Sequence, residues 1–488
     1  MINDLIRSLV DYGINNELIT KDDEIYVINR ILKLLQLDSY EEGTNLGLSF
    51  DNLLDEFINY AVDNNLINDT QNSKDEFDTE LMNLFVERPS NVLSKFNYYY
   101  IINKEKATNY FYNLSVKSNY VRSGRIKKDI KWETMTEYGK LVITINMSKP
   151  EKDPKDIAAA LNAKSSSYPK CLLCKENEGY QGRINHPARA NIRLIPLILN
   201  NHQYFMQYSP YAYFNEHCII LDSDHVPMVI NQDTFNALID FVDYLPHYMI
   251  GSNADLPIVG GSILTHNHFQ GGRYNFPIFD SEVLYNIKKR DYELEILKWP
   301  LSTIRIKTKK KDVLLELSTS ILNKWINYDN LKLDIISHTN VRHNTITPIL
   351  RKNDDIYEMY LILRNNRTTD EYPMGIFYQH PEYHNIKKEN IGLIEAIGLA
   401  ILPSRLKNEL AIIKDAILNK EDYHNIDEIK KHADWLDKMP NLNELDKDNI
   451  DDKLKEYVGI TFKNLLEHSG VFKLNDEGLK AFIEFIKI

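Results

Sequence analysis

Cysteine is scarce in this chain: Cys171, Cys174 and Cys218 are the three among 488 residues. That number is too small for a disulfide framework and suits a reducing compartment. Long apolar runs are missing too. None approaches the roughly eighteen residues needed to span a bilayer, and the N-terminal M-I-N-D-L-I-R-S-L-V-D-Y-G is amphipathic and acidic rather than basic and then apolar, so it does not read as a signal peptide. A cytoplasmic protein without a membrane partner is expected. Basic charge is in deficit, with 58 Lys and Arg against 70 Asp and Glu and a net charge of -12. This argues against a general affinity for nucleic acid or anionic membrane, so an anionic ligand must be held by a local cluster. No fixed-period repeat or low-complexity tract stands out.

What is present is a large apolar fraction, 43%, enough for an extensive core and roughly two to four domains. Residues 1–95 carry helical periodicity, as in Leu5, Leu9 and Ile14, then Ile28, Ile31, Leu32 and Leu35, then Leu53, Leu54, Phe57 and Ile58. From about Tyr98 the pattern shifts toward strands, at Tyr110–Leu114 and at Lys140–Met147. Further strands are predicted at Ser302–Lys307, at Val313–Leu317 and within Leu331–Arg367, with a short helix at Ile321–Tyr328. From Leu406 to Ile488 the pattern is helical and highly charged. The division is therefore 1–95 helical, 96–290 and 291–405 sheet-containing, and 406–488 helical.

Chemistry concentrates in Asn253–Gly272, N-A-D-L-P-I-V-G-G-S-I-L-T-H-N-H-F-Q-G-G. His266, His268 and Gln270 alternate, so on an extended strand they share one face. Such a row suits nucleophilic catalysis at phosphorus: one imidazole attacks, its neighbour is fixed by a metal or a hydrogen bond, and a neutral amide holds a phosphoryl oxygen without repelling the nucleophile. The flanking glycine pairs let main chain approach a phosphate. A strand end with two surface histidines is the plain alternative. Upstream, Y-P-K-C-L-L-C-K-E-N-E-G-Y pairs two thiols as half of a zinc knuckle, or else as two reduced, partly buried cysteines, with a redox pair the weaker alternative for want of a thioredoxin-like context. The other ligands must come from elsewhere, with His217, His225 and His266 as candidates. Arg122 and Arg125, in the basic stretch Ser118–Lys128, form an R-x-x-R able to clamp phosphates, or else an ordinary solvated charge run. Lys387 and Lys388 invite the same two readings.

Taken together, the C-x-x-C block, N-H-P-A-R at Asn185–Arg189, Q-Y-S-P-Y at Gln207–Tyr211 and the H-x-H-x-Q segment resemble the class II galactose-1-phosphate uridylyltransferases, a bacterial branch of the histidine-triad superfamily of nucleotidyl transferases. S-N-Y-V-R-S-G-R-I, I-T-I-N-M-S-K-P-E-K-D-P-K, H-N-T-I-T-P-I-L-R and I-K-K-E-N-I-G-L-I-E extend the resemblance across nearly the whole chain. It implies an α+β fold of two histidine-triad-like halves with antiparallel sheets, plus helical N-terminal and C-terminal regions. The implied reaction belongs to galactose catabolism and moves a uridylyl group from UDP-glucose to galactose 1-phosphate by a ping-pong route. Carried over by position, His268 is the nucleophile and Gln270 the phosphoryl ligand. Cys171, Cys174, His225 and His266 hold one structural zinc, with His217 the competitor for the His225 place. Arg122 and Arg125 contact nucleotide, and Asn253, Gly261, Ser262 and Lys388 lie near the sugar phosphates. Tyr378 and Gln379 precede His380 where some relatives carry a second H-P-H, so one metal is expected rather than two. A homodimer is expected. Other readings are a different nucleotidyl transferase or phosphorylase of the superfamily, acting on another sugar nucleotide or a dinucleoside polyphosphate, and a non-catalytic sugar-nucleotide sensor.

Overall fold

The computed structural model describes residues 1–147 and 166–487. The part of the resemblance that falls on Ser148–Lys155 lies outside them. The chain opens with six helices: α1 (Ile2–Asn15), α2 (Glu24–Leu35), α3 (Phe50–Asp63), α4 (Gln71–Asn83), α5 (Pro89–Ile102) and α6 (Lys104–Lys117). In α1 the apolar positions recur at three- and four-residue spacing, burying Leu5, Ile6, Leu9 and Val10 on one side. These meet Val27, Ile31 and Leu35 of α2 and Leu54 and Phe57 of α3 in a separate small core. Helices α5 and α6 instead turn Phe96, Ala107 and Phe111 toward the main sheet. Tyr110–Leu114, expected as a strand, therefore lies inside a helix. Asn103 caps it by accepting from the N–H groups of Glu105 and Lys106, and burial at Ala107, Phe111 and Ser115 follows a four-residue step that overrides the local aromatic preference for strand. Strand structure begins at Ile130.

Among the described residues thirteen strands form two sheets. The small one pairs β1 (Ile130–Thr136) with β2 (Gly139–Ile145), and β2 with the late strand β13 (Leu399–Leu402). The large one has ten strands. These are β3 (Ile195–Leu199), β4 (His202–Tyr208), β5 (Cys218–Asp222), β6 (Met249–Gly251), β7 (His268–Gly272), β8 (Val283–Lys288), β9 (Glu293–Leu297), β10 (Thr303–Thr308), β11 (Asn344–Asn353) and β12 (Ile356–Asn365). Their spatial order is β3-β4-β5-β7-β6-β11-β12-β10-β9-β8, and every neighbouring pair is antiparallel. The topology is duplicated. Three strands, a helix and two strands are laid out as 3-4-5-7-6, and the same sequence of elements recurs as 8-9-10-12-11. The halves join where Gly251 and Ile250 pair with Ile349 and Leu350.

The repeated helices are α7 (Gln232–Tyr244) and α8 (Lys311–Ile326). Val313–Leu317 belongs to α8 rather than to a strand, because Leu314, Leu317, Ile321, Leu322 and Trp325 are buried at helical spacing. Both helices and the aromatic end of α11 (Asp476–Ile486) cover one face of the large sheet. The other face is closed by the small sheet together with α9 (Arg405–Asn419) and α10 (Ile450–Ser469). The result is a mixed α+β architecture whose catalytic candidates lie on β7, near the seam of the two halves.

Candidate active site

His266 sits just before β7, and His268 and Gln270 lie within it. Rather than converging on one point, the three side chains find different partners. His266 Nδ1 lies 3.2 Å from Cys171 Sγ and 3.7 Å from Cys174 Sγ. His225 Nδ1 is 3.3 Å from Cys174 Sγ, and the sulfurs are 3.6 Å apart. All four donor atoms fall within 4.8 Å of one another, the size of a tetrahedral zinc shell. The chemistry of the set fits a metal in a second respect. His266 Nε2 donates to the main-chain oxygen of Asp222 at 3.0 Å, which fixes the tautomer and leaves Nδ1 bare toward the thiols. His217 is not in this group; its Nε2 lies 3.0 Å from Gln270 Oε1. A second cluster, His380, Glu382 and His468, also brings ligand-type atoms together. Its two imidazoles stack at 4.1 Å with 25° between planes, so their in-plane lone pairs run side by side and are poorly placed to share one ion.

His268 is 6% exposed. Its Nδ1 donates to the main-chain oxygen of His266 at 2.8 Å, and burial pushes it down to about 4. The ring is therefore neutral, protonated at Nδ1, with Nε2 carrying the free lone pair. Gln270, on the same face of β7, lines a cavity of about 760 Å³, a volume in the range of small-molecule sites. Asn253, Gly260, Gly261 and Ser262 form its near wall, and Lys387, Asn390 and Gly392–Glu395 the far wall. The walls are tied together by Asn253, whose Oδ1 accepts the N–H of Leu393 at 2.8 Å. A side chain at Gly261 would collide with Asn253, a Cβ lying 2.5 Å from Nδ2.

Residues 17–227 match the profile of the galactose-1-phosphate uridyl transferase N-terminal domain, and residues 241–436 that of its C-terminal domain. Galactose-1-phosphate uridylyltransferase of Clostridium acetobutylicum is 52% identical, with 100% of both chains aligned. The chain belongs to the galactose-1-phosphate uridylyltransferase family. The Clostridium perfringens uridylyltransferase is 48% identical, covering 99% of this chain and 98% of the relative. A Streptococcus pneumoniae uridylyltransferase is 45% identical over 100% and 98%. Solved structures are matched remotely, as by a yeast Ap4A phosphorylase at 12% identity and TM-score 0.36, covering 68% of this chain and 92% of that one.

Within this uridylyltransferase-family chain, several expected ligand residues are otherwise engaged. Arg122 donates to both carboxylate oxygens of Asp78, at 2.6 and 3.1 Å, and Arg125 pairs with Asp75. Neither lines the cavity; two acids of α4 pair with the R-x-x-R and tie it to the N-terminal helices. Lys388 is exposed and absent from the cavity wall. Lys387 takes the inward place, 4% exposed and 2.7 Å from Glu395. The loop is set by Tyr378, which donates to the main-chain oxygen of Lys388 at 2.7 Å, and by Gln379, which donates to that of Glu389 at 2.6 Å. In an irregular loop no periodicity distinguishes one lysine of a pair from the other. Asn146, just after β2, and Asn390 also line the cavity; both fall in blocks that carry the family resemblance, I-T-I-N-M and I-K-K-E-N, but neither was singled out from the sequence.

Proposed function

We propose that the chain transfers a uridylyl group from UDP-glucose to galactose 1-phosphate, giving glucose 1-phosphate and UDP-galactose, with His268 as covalent carrier. The family match supplies the reaction. The observation that carries the assignment to this imidazole is the His268 Nδ1 hydrogen bond to the oxygen of His266, which leaves Nε2 unprotonated two residues before Gln270, the residue of β7 that lines the cavity. In the first half-reaction Nε2 attacks the α-phosphorus, an N–P bond forms, and the P–O bond to glucose 1-phosphate breaks with the electron pair leaving on that phosphate. In the second, a phosphate oxygen of galactose 1-phosphate attacks and the N–P bond breaks. The leaving group is already a phosphate, so positioning and charge support dominate over proton transfer.

Gln270 presents a neutral donor to the phosphoryl oxygens, and Asn253, Gly261 and Ser262 bring the near wall close to the diphosphate. Cys171, Cys174, His225 and His266 would hold a zinc ion, which supplies a structural cross-link that keeps the start of β7 in place. We read the chain as a cytoplasmic homodimer, divided at 1–95, 96–290, 291–405 and 406–488, with two histidine-triad-like halves in the middle. No helix of the described residues is long and apolar enough to cross a membrane.

Incubation with UDP-glucose labelled in the α-phosphate is expected to leave an acid-labile label on His268, released by galactose 1-phosphate as UDP-galactose. Turnover without labelled enzyme, or full labelling of His268→Ala, defeats the reading. Metal analysis and light scattering on the same sample check the zinc and the dimer.

A further inference from the structure

The imidazole that sequence alone offers as a spare zinc ligand has a different task. His217 immediately precedes β5 and is 2% exposed. Its ring lies against Phe214 and Tyr213, at 4.5 and 5.6 Å between centroids. Its main chain is tied on both sides, with the N–H donating to Phe214 and the oxygen accepting from Ser209. The ring has little freedom to turn.

One ring nitrogen, Nε2, faces Gln270 Oε1 at 3.0 Å. The other, Nδ1, is buried with no hydrogen-bond partner. Burial pushes this histidine down to about 4, so the ring carries one proton. With the proton on Nδ1, a buried N–H would face no acceptor. With the proton on Nε2, it reaches the Gln270 oxygen, and a bare lone pair, the cheaper omission, is left unpaired. The second arrangement is favoured, and it engages the acceptor end of the carboxamide. The NH₂ end then faces away from His217, toward the cavity that Gln270 lines.

We propose that His217 is the positioning residue that orients the Gln270 carboxamide, donor end toward the phosphoryl group. The proposal rests on the uridylyl-transfer reading for the identity of what that donor meets. Its physical content is a choice of sign. A carboxamide presenting NH₂ attracts phosphoryl oxygens, and the same group turned over presents an oxygen to them and repels them. Asn253 obeys the same rule, its oxygen engaged by the N–H of Leu393 and its Nδ2 on the Gly261 side.

Two measurements test this. The imidazole ¹⁵N spectrum of histidine-labelled protein, with the His217 signal assigned by its loss in His217→Gln, is expected to show a neutral Nε2–H ring; an Nδ1–H ring overturns the proposal whatever the activity. In single turnover, His217→Phe, which keeps a packed ring and removes the donor, is expected to slow label transfer to His268 by roughly 10- to 100-fold. His217→Gln, which retains a donor, restores part of the rate. In a Gln270→Ala background His217→Phe costs nothing further, since the residue acts through Gln270. An equal loss in both backgrounds, or no loss in either, overturns the proposal. Wild-type protein that takes up no label defeats the reading of function instead, and the tautomer spectrum still decides the role of His217.

Discussion

His266 and His268 are joined by a hydrogen bond of 2.8 Å, from the ring of His268 to the main-chain oxygen of His266, while the ring of His266 lies 3.2 Å from a Cys171 thiol. The residue that anchors the start of β7 thus also selects the tautomer of the residue behind it. Anchor and proposed nucleophile are one mechanical unit, two positions apart.

Loss of the anchor is therefore expected to reach the chemistry. Cys171→Ser or Cys174→Ser should lower metal affinity by more than roughly 100-fold and reduce label transfer to His268, whereas His268→Ala should abolish transfer and keep the metal. Elemental analysis beside single-turnover labelling checks both. A cysteine variant that loses its metal and transfers label at the wild-type rate would separate the two functions.

Gly261→Ala places a methyl 2.5 Å from Asn253 Nδ2 and 2.9 Å from its Cγ. Asn253 must shift, and with it the contact to Leu393 that joins the cavity walls. Activity is expected to fall roughly 10-fold, with the urea midpoint of unfolding little changed. Steady-state kinetics with both substrates is the measurement.

Arg122→Ala leaves Asp78, 4% exposed, without its counter-charge. Destabilisation of about 3–5 kcal/mol is expected, the cost of an unpaired buried charge. Asp78→Asn added to Arg122→Ala should recover part of it. Denaturant unfolding of the wild type and the two variants decides whether this arginine supports the fold or, as the R-x-x-R spacing alone suggests, the ligand.

Acid should weaken the fold through its buried imidazoles. Burial holds His217 at about 4 against an ordinary 6.5, so between those values the unfolded chain binds the extra proton more readily than the folded one. Stability then falls as pH falls, by on the order of 3 kcal/mol for this residue across the full window. His186, His247 and His468 are each pushed to about 4 in the same direction. Urea midpoints measured from pH 7 downward should drop through this window, and less steeply in His217→Phe.

Much of the site is legible in the sequence because its key spacings are local. A C-x-x-C turn brings two sulfurs together without help from the rest of the chain, and alternation along β7 puts His268 and Gln270 on one face. Helical periodicity likewise marks α1 to α3. Where the sequence misleads, local preference is overruled by packing: the aromatic run Tyr110–Leu114 and the apolar run Val313–Leu317 look like strands, yet each buries every third or fourth residue against the large sheet.

The local relation of His268 to Gln270 and of the two thiols to each other was determined by the sequence itself, since residues a few positions apart on a strand or turn keep their relation in any fold that forms those elements. Tertiary structure alone decided what meets across long separations. It brought Asp78 to Arg122 across 44 positions, His217 to Gln270 across 53 and Asn253 to Leu393 across 140, and it laid the two halves edge to edge in a duplicated sheet. The physical reason is that charge pairing and amide orientation depend on which groups are desolvated together, and burial is a property of the packed chain.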